Sequence, residues 1–184
     1  MDFPNDKQIE NKIREILNLE KLEFKDENPD INIFDFQITV RFPDNINITV
    51  AKMKEFPYKI DIVSTVKFSP IHIDALKNSD KDVHDKILND IFLWLTPREP
   101  EFFVDLYPEK NLEQYSENFK KDIAPFYIVK LPIYSDELTM GNFMRTIRLV
   151  MNSSKLARRL IQLNLNEFID KSKVKALEDS SNVQ

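Results

Sequence analysis

The fold class of this 184-residue chain is decided by one stretch, NIFDFQITVRFPDNINITVAKMKEFPYKIDIVSTVKFSP, which spans residues 32–70. Within it, apolar residues recur at every second position in three short runs rich in β-branched side chains, a pattern typical of half-buried strands. The runs extend from Ile33 to Phe42, from Ile46 to Val50 and from Ile60 to Phe68. Their connections are too short for the crossover that parallel strands need, so the stretch predicts an antiparallel meander.

Asp35 occupies a position in the first run where an apolar residue would continue the alternation. A β-bulge re-aims a side chain locally, and an exposed sheet edge tolerates inward-pointing charges. We therefore expect a local irregularity of the strand, or a sheet edge, at this aspartate.

Apolar residues at helical spacing and further short strands surround the meander. In chain order they are a helix at 6–19 with a capping box of Asn5 and Gln8, a short helix at 71–77, a helix from Ser79 to Leu95, strands at 101–108 and 125–134, and a long helix that begins after Thr139. This order (α, β3, α, β2, long α) predicts an α+β fold in which an antiparallel sheet of about five strands carries helices on one face. We expect a single domain over residues 1–170 and a frayed or disordered tail over residues 171–184.

The composition restricts the chemistry that the chain can perform. It contains no cysteine and one glycine. The absence of cysteine excludes disulfides, thiolate nucleophiles and cysteine-bound metals and fits a cytoplasmic protein, while the shortage of glycine excludes glycine-rich phosphate-binding loops. We find no secretory signal and no apolar run of the roughly 20 residues that a membrane-spanning helix requires, so no membrane association is expected.

Candidate catalytic residues are few. His72 and His84 are the two histidines, and they lack the spacing that places two imidazoles on one metal ion. We therefore expect no catalytic site, no metal, no cofactor and no enzymatic activity. The alternative is a small-ligand or metal-dependent enzyme that uses acidic residues, with Asp61 and Asp105 as a candidate acid and base or with magnesium as the cation.

The predicted C-terminal helix has two apolar faces, because at about 100° per residue its apolar positions fall into two sets. The set that should lie on the sheet is Phe143, Ile147, Val150, Ala157, Ile161, Leu165 and Phe168. The second set, a candidate interaction surface, is Leu149, Leu156, Leu160 and Leu163. One sheet cannot cover both sets, so either a neighbouring helix of the same chain or a second copy of the protein covers the leucines.

A basic stripe lies nearly opposite the first apolar face of this helix and consists of Arg145, Arg148, Lys155 and Arg159. The whole chain nevertheless has a formal net charge of −5. Nucleic-acid-binding domains are usually basic overall, so we expect no nucleic-acid partner and interpret the stripe as a solvated outer face. Weak binding of an anion or polyanion through these four side chains is the alternative.

Two segments, FDFQITVRFPDNINITVAKMKEFPYKIDIVSTVKFSP at 34–70 and VKLPIYSDELTMGNFMRTIRLVM at 129–151, carry a resemblance that covers about residues 6–165. Through them the chain resembles an uncharacterised archaeal family of unknown function. The resemblance implies a fold similar to that of type III secretion chaperones, which have a curved antiparallel sheet with helices on one side. It also implies a non-enzymatic protein-interaction or chaperone-like module that dimerises or binds a partner chain, and it transfers no functional residue.

Overall fold

A computed structural model describes residues 5–28, 30, 32–43, 46–95, 100–105 and 126–181. Its helices are α1 (Asp6–Leu19), α2 (Pro70–Lys77), α3 (Lys81–Leu95) and α4 (Met140–Ser181), and its strands are β1 (Glu23–Asp26), β2 (Phe34–Phe42), β3 (Ile46–Met53), β4 (Lys59–Lys67), β5 (Glu101–Asp105) and β6 (Phe126–Tyr134). The chain divides into two compact units. Unit 1 comprises Met1–Thr65, Glu99–Glu101 and Ile128–Ser154, and unit 2 comprises Val66–Arg98, Phe102–Tyr127 and Lys155–Gln184.

The described strands form one antiparallel sheet in the order β1-β2-β3-β4-β6-β5, which confirms the predicted α+β class. The sheet has six strands, so the prediction of about five was wrong. The strand that was missed is β1, whose sequence Glu-Phe-Lys-Asp has one apolar residue. It pairs with β2 at the edge of the sheet, and an edge strand can be short and charged because it is not buried between two neighbours.

The predicted meander is confirmed by the pairing of β2, β3 and β4. Ile38 lies opposite Val50, and Val50 lies opposite Ile62, so the apolar positions of the three strands line up on one face. We call this the inner face; its buried apolar residues are Phe36, Ile38, Val40, Ile46, Ile48, Val50, Ile60 and Ile62. Slipping one strand by a single residue would turn its apolar set to the opposite face, so burial of this face fixes the register.

Two helices of unit 1 make side-chain bonds to residues of the inner face. Near the start of α1, Asp6 reaches Lys52 of β3, and in α4 the hydroxyl of Ser154 lies 2.9 Å from that of Ser64 in β4. The predicted capping box of α1 is present, since Asn5 and Gln8 each accept a bond from the other's backbone N–H at 2.9 Å. The buried apolar residues of these helix segments are Ile9, Ile13, Ile16, Leu17, Phe143, Met144, Ile147 and Val150.

The irregularity expected at Asp35 is confirmed, because the β2–β3 register shifts between Phe34 and Phe36. Phe36 lies opposite Lys52, so the lysine falls on the inner face, where its side chain is 1% exposed. Its Nζ lies 2.6 Å from Asp35 Oδ2 and 2.7 Å from Asp6 Oδ1. Burial alone would lower the pKa of Lys52, but the hydrogen bonds to these two carboxylates outweigh it, and the pKa is raised above its usual value.

The turn after α1 contains a residue in the left-handed backbone conformation, which is usually adopted by glycine. Lys21 has a φ of 53°, and among the described residues no other non-glycine residue has a positive φ. Its N–H donates to the Asn18 carbonyl, and the N–H of Leu22 donates to the Leu17 carbonyl, both at 3.0 Å. These two bonds are those of a Schellman motif, which satisfies the last carbonyls of the helix.

Unit 2 contains α2, α3 and the later part of α4, with a cluster of aromatic rings. The ring of Tyr127 lies 6.0 Å from that of Phe68 and 5.8 Å from that of Phe102, measured between centroids. The backbone of α4 is helical as far as Ser181, and the part of the predicted tail at 182–184 lies outside the described residues. Residues 106–108 and 125, at the ends of two predicted strands, also lie outside them.

Replacing Lys52 with methionine should destabilise the protein. The substitution leaves the carboxylate of Asp35, which is 16% exposed, without its cation. Removing one partner of a buried ion pair costs about 3–5 kcal/mol, and the residual exposure of Asp35 places the expected loss near the lower end, about 2–4 kcal/mol. Urea unfolding measures the change. The matched control is Lys54→Met, an exposed lysine of the same hairpin, and an equal effect of the two substitutions would contradict the assignment.

Replacing Lys21 with glycine should stabilise the protein by about 0.5–1 kcal/mol. A side chain in the left-handed region costs about 1–2 kcal/mol, and part of the relief is lost to the greater freedom of glycine in the unfolded chain. Thermal unfolding compares Lys21→Gly with Lys21→Ala, which keeps a Cβ at the strained position. Stabilisation by alanine as large as that by glycine would show that the backbone strain is not the cause.

Candidate functional site

The four leucines of the candidate interaction surface lie in different surroundings. Leu149 belongs to unit 1, whereas Leu156, Leu160 and Leu163 belong to unit 2. Three of them are half-buried, but Leu163 keeps 57% of its surface exposed. The exposed end of the set is therefore its C-terminal part, in unit 2.

Helix α3 lies alongside this part of α4. Asn164 Nδ2 donates to Asp90 Oδ2 at 3.0 Å, and Lys86 Nζ lies 3.6 Å from Glu167 Oε2. Residue numbers rise along α3 as they fall along α4, so the two helices are antiparallel. One turn beyond Asp90 on α3 corresponds to one turn before Asn164 on α4, which brings the 93–94 region alongside Leu160.

Leu93 and Trp94 are two further exposed apolar side chains, on the helix that lies alongside Leu163. Leu93 is 74% exposed and Trp94 is 54% exposed. We call Leu93, Trp94, Leu160 and Leu163 the α3–α4 seam. The sequence reasoning missed its α3 half, although the run Phe92, Leu93, Trp94 was a usable signal: three consecutive apolar residues cannot all face one side of a helix.

Charges of both signs surround the seam. Lys86 and Glu167 form an ion pair across the two helices, and Asp90 accepts the bond from Asn164. Arg159 lies one residue before Leu160 and is exposed. The arrangement is an apolar strip with a polar border, which is the composition of protein-contact surfaces.

The basic stripe is solvated along its length. Arg145, Arg148, Lys155 and Arg159 are all exposed, and the first two lie in unit 1 while the others lie in unit 2. Arg158 was not singled out from the sequence, yet it is half-buried, and it lines a cleft in unit 2. Its position in the sequence could have indicated this, because Arg158 lies three residues before Ile161 and therefore beside the buried face of the helix.

The two histidines have different roles in unit 2. His84 is buried, and its Nε2 lies 2.9 Å from the hydroxyl of Ser79 and 3.1 Å from the carbonyl oxygen of Leu76, so it joins α3 to the end of α2. His72 is buried in α2, and no bond to its imidazole is present among the described residues. The residue lines a cleft in unit 2, where its imidazole can bond to a molecule in the cleft.

The candidate carboxylates lie on separate strands. Asp61 is buried on β4 with Lys59 Nζ at 3.3 Å, and Asp105 is buried on β5. Over the described ranges, no group of three or more histidine, cysteine, aspartate or glutamate side chains is placed to hold a metal ion. Across the same part of the chain, no helix is both long and apolar enough to cross a lipid bilayer.

Comparison with known proteins places the chain among uncharacterised relatives. A crystal structure of an uncharacterized protein from Methanothermobacter thermautotrophicus is similar with a TM-score of 0.67 and 19% identity, covering 85% of this chain and 99% of that one. YbjN from E. coli gives a TM-score of 0.49 and 12% identity, with coverages of 85% and 92%. No curated protein matches the chain. A model of the uncharacterized conserved protein family DUF2299 matches residues 9–161, and the chain therefore belongs to that family.

Proposed function

We propose that this protein is a non-enzymatic protein-interaction module that forms a homodimer through the α3–α4 seam. The observation that carries the proposal is the exposure of Leu93 and Leu163, at 74% and 57%, on two adjoining helices. Side chains of this kind are usually exposed singly on a monomer, whereas contiguous apolar strips with polar borders mark contact surfaces.

A second copy of the chain fits the seam because of its charge pattern. In a twofold dimer the same patch meets itself, so it has to be self-complementary. The border of the seam carries Lys86 and Arg159 together with Asp90 and Glu167, two cations and two anions. Two copies can therefore meet with opposite charges facing each other, although each chain has a net charge of −5.

The finer features of the proposal rest on the sequence resemblance. We propose a chaperone-like mode of action in the cytoplasm, in which the dimer binds extended segments of other proteins, and a family with archaeal members. The archaeal origin of the structural neighbour with a TM-score of 0.67 supports the second point. The sheet edge formed by β1 is an unfavourable site for an added strand, because Glu23, Lys25 and Asp26 are exposed charges.

The homodimer is tested by sedimentation of the full chain at micromolar concentration. We expect the wild-type protein to sediment as a dimer and the double variant Leu93→Gln, Leu163→Gln to dissociate at least about tenfold more readily. Full burial of a leucine contributes about 1.5–3 kcal/mol, and each position occurs twice in a twofold dimer. Glutamine keeps a high helix propensity and adds no charge, so the variant should remain folded.

The matched control is Leu19→Gln, since Leu19 at the end of α1 is also an exposed leucine, at 63%. It should leave the association unchanged. A wild-type protein that sediments as a monomer would overturn the homodimer, and so would an equal loss of association in the Leu19 variant. Circular dichroism of the double variant and of the Leu19 variant shows whether the helices are intact.

A further inference from the structure

A cleft of about 240 Å³ opens in unit 2 between the end of β4, the start of α2, β6 and α4. Its walls are largely apolar; they consist of Val66, Phe68, Tyr127 and Ile161. Its polar lining consists of Lys67, Ser69, His72, Arg158 and Gln162. Sites for drug-sized ligands have volumes of roughly 300–1,000 Å³, so this cleft suits a smaller molecule.

Three of the polar groups in the cleft make no side-chain bond to any described residue. Ser69 stands at the N-cap of α2, but its hydroxyl makes no capping bond. The imidazole of His72 is without a partner although the residue is 9% exposed, and the half-buried guanidinium of Arg158 forms no ion pair within the described ranges. Ser69 is exposed, Arg158 is half-buried and His72 is buried, so these three groups are available to bond to a small molecule that enters the cleft.

The charge of the cleft selects the class of that ligand. Among the described residues that line it are the cations Lys67 and Arg158 and the imidazole of His72, and none of those described lining residues is an aspartate or a glutamate. Ser69 and His72 also lie at the N-terminal end of α2, where the helix dipole and the first backbone N–H groups favour an anion. A guanidinium offers paired N–H donors that match the oxygens of carboxylates and phosphates.

From this geometry we propose that the cleft binds a small molecule made of an oxyanion, either phosphate or carboxylate, on a compact apolar body. The oxyanion lies between Arg158, His72 and the hydroxyl of Ser69, and the body lies against Phe68 and Tyr127. The site is independent of the α3–α4 seam, since it uses other side chains of α4. It requires neither a dimer nor a protein partner.

The proposal is tested by calorimetric titration of the full chain with phenyl phosphate, benzoate, inorganic phosphate and benzyl alcohol in low salt. We expect phenyl phosphate or benzoate to bind more tightly than inorganic phosphate, which lacks the apolar body, and more tightly than benzyl alcohol, which lacks the charge. The stronger of the two aromatic anions identifies the preferred oxyanion. Absence of heat and of saturable binding for both would overturn the proposal, as would equal affinity for benzyl alcohol.

The chain offers a matched pair of variants in two consecutive arginines. Arg158→Gln should weaken binding of the aromatic anion by about tenfold or more, because a hydrogen bond to a charged group is lost. Arg159→Gln makes the same change of charge on the exposed side of the helix and should alter the affinity less than about twofold. Equal losses in the two variants would show diffuse attraction instead of a site.

A second variant, His72→Gln, tests whether the imidazole contacts the ligand. It should also weaken binding of the aromatic anion. His72 is buried, so unfolding of that variant has to be checked by urea denaturation. Should it fail to fold, Arg158→Lys takes its place. That change keeps the charge and removes the paired donors, so we expect an affinity between those of wild type and Arg158→Gln, and an unchanged affinity would count against contact of the guanidinium with the oxyanion.

Discussion

The pairing of Phe36 with Lys52 places an ammonium group on the inner face of the sheet, and the surrounding structure depends on neutralising it. An unpaired charge at a side chain that is 1% exposed would be too costly to keep. The bulge at Asp35 turns one carboxylate toward the lysine, and the first turn of α1 supplies the second from Asp6. The ion cluster therefore ties together the register of β2 and β3, the bulge and the position of α1, in addition to the stabilisation by apolar burial.

The N-terminal part of helix α4 belongs to unit 1 and its later part belongs to unit 2. In unit 1 its buried residues include Phe143, Ile147 and Val150, and Ser154 bonds to Ser64 of β4. In unit 2 it bonds to α3 through Asn164 and contributes Arg158 to the cleft. A helix with these different neighbours needs apolar residues on more than one side. The second set of leucines on α4 meets that requirement. Within this set, Leu163 is the leucine that the rest of unit 2 leaves exposed.

The sequence predicted those elements whose signal lies in local periodicity. The meander, the capped α1 and the irregularity at Asp35 were accessible because alternation in β2–β4 and helical spacing are local properties. Strand β1 was not, because an edge strand with one apolar residue shows no alternation. Lys52 continues the inward series of Ile46, Ile48 and Val50 and could have been found by extending that series by one step. Arg158, His72 and Ser69 could not be grouped beforehand, since they are brought to one cleft by tertiary packing.

The placement of the cations also bears on whether the protein could bind a polyanion. A nucleic-acid backbone needs several phosphates contacted along an extended basic surface, and the acidic remainder of a chain with a net charge of −5 opposes that over the screening length of about 8 Å. The net charge is less important for a small anion in a cleft of about 240 Å³, because the cationic side chains that line the cleft lie close to it. Local field and net charge can therefore have opposite signs, so the proposed anion site is compatible with a negative net charge.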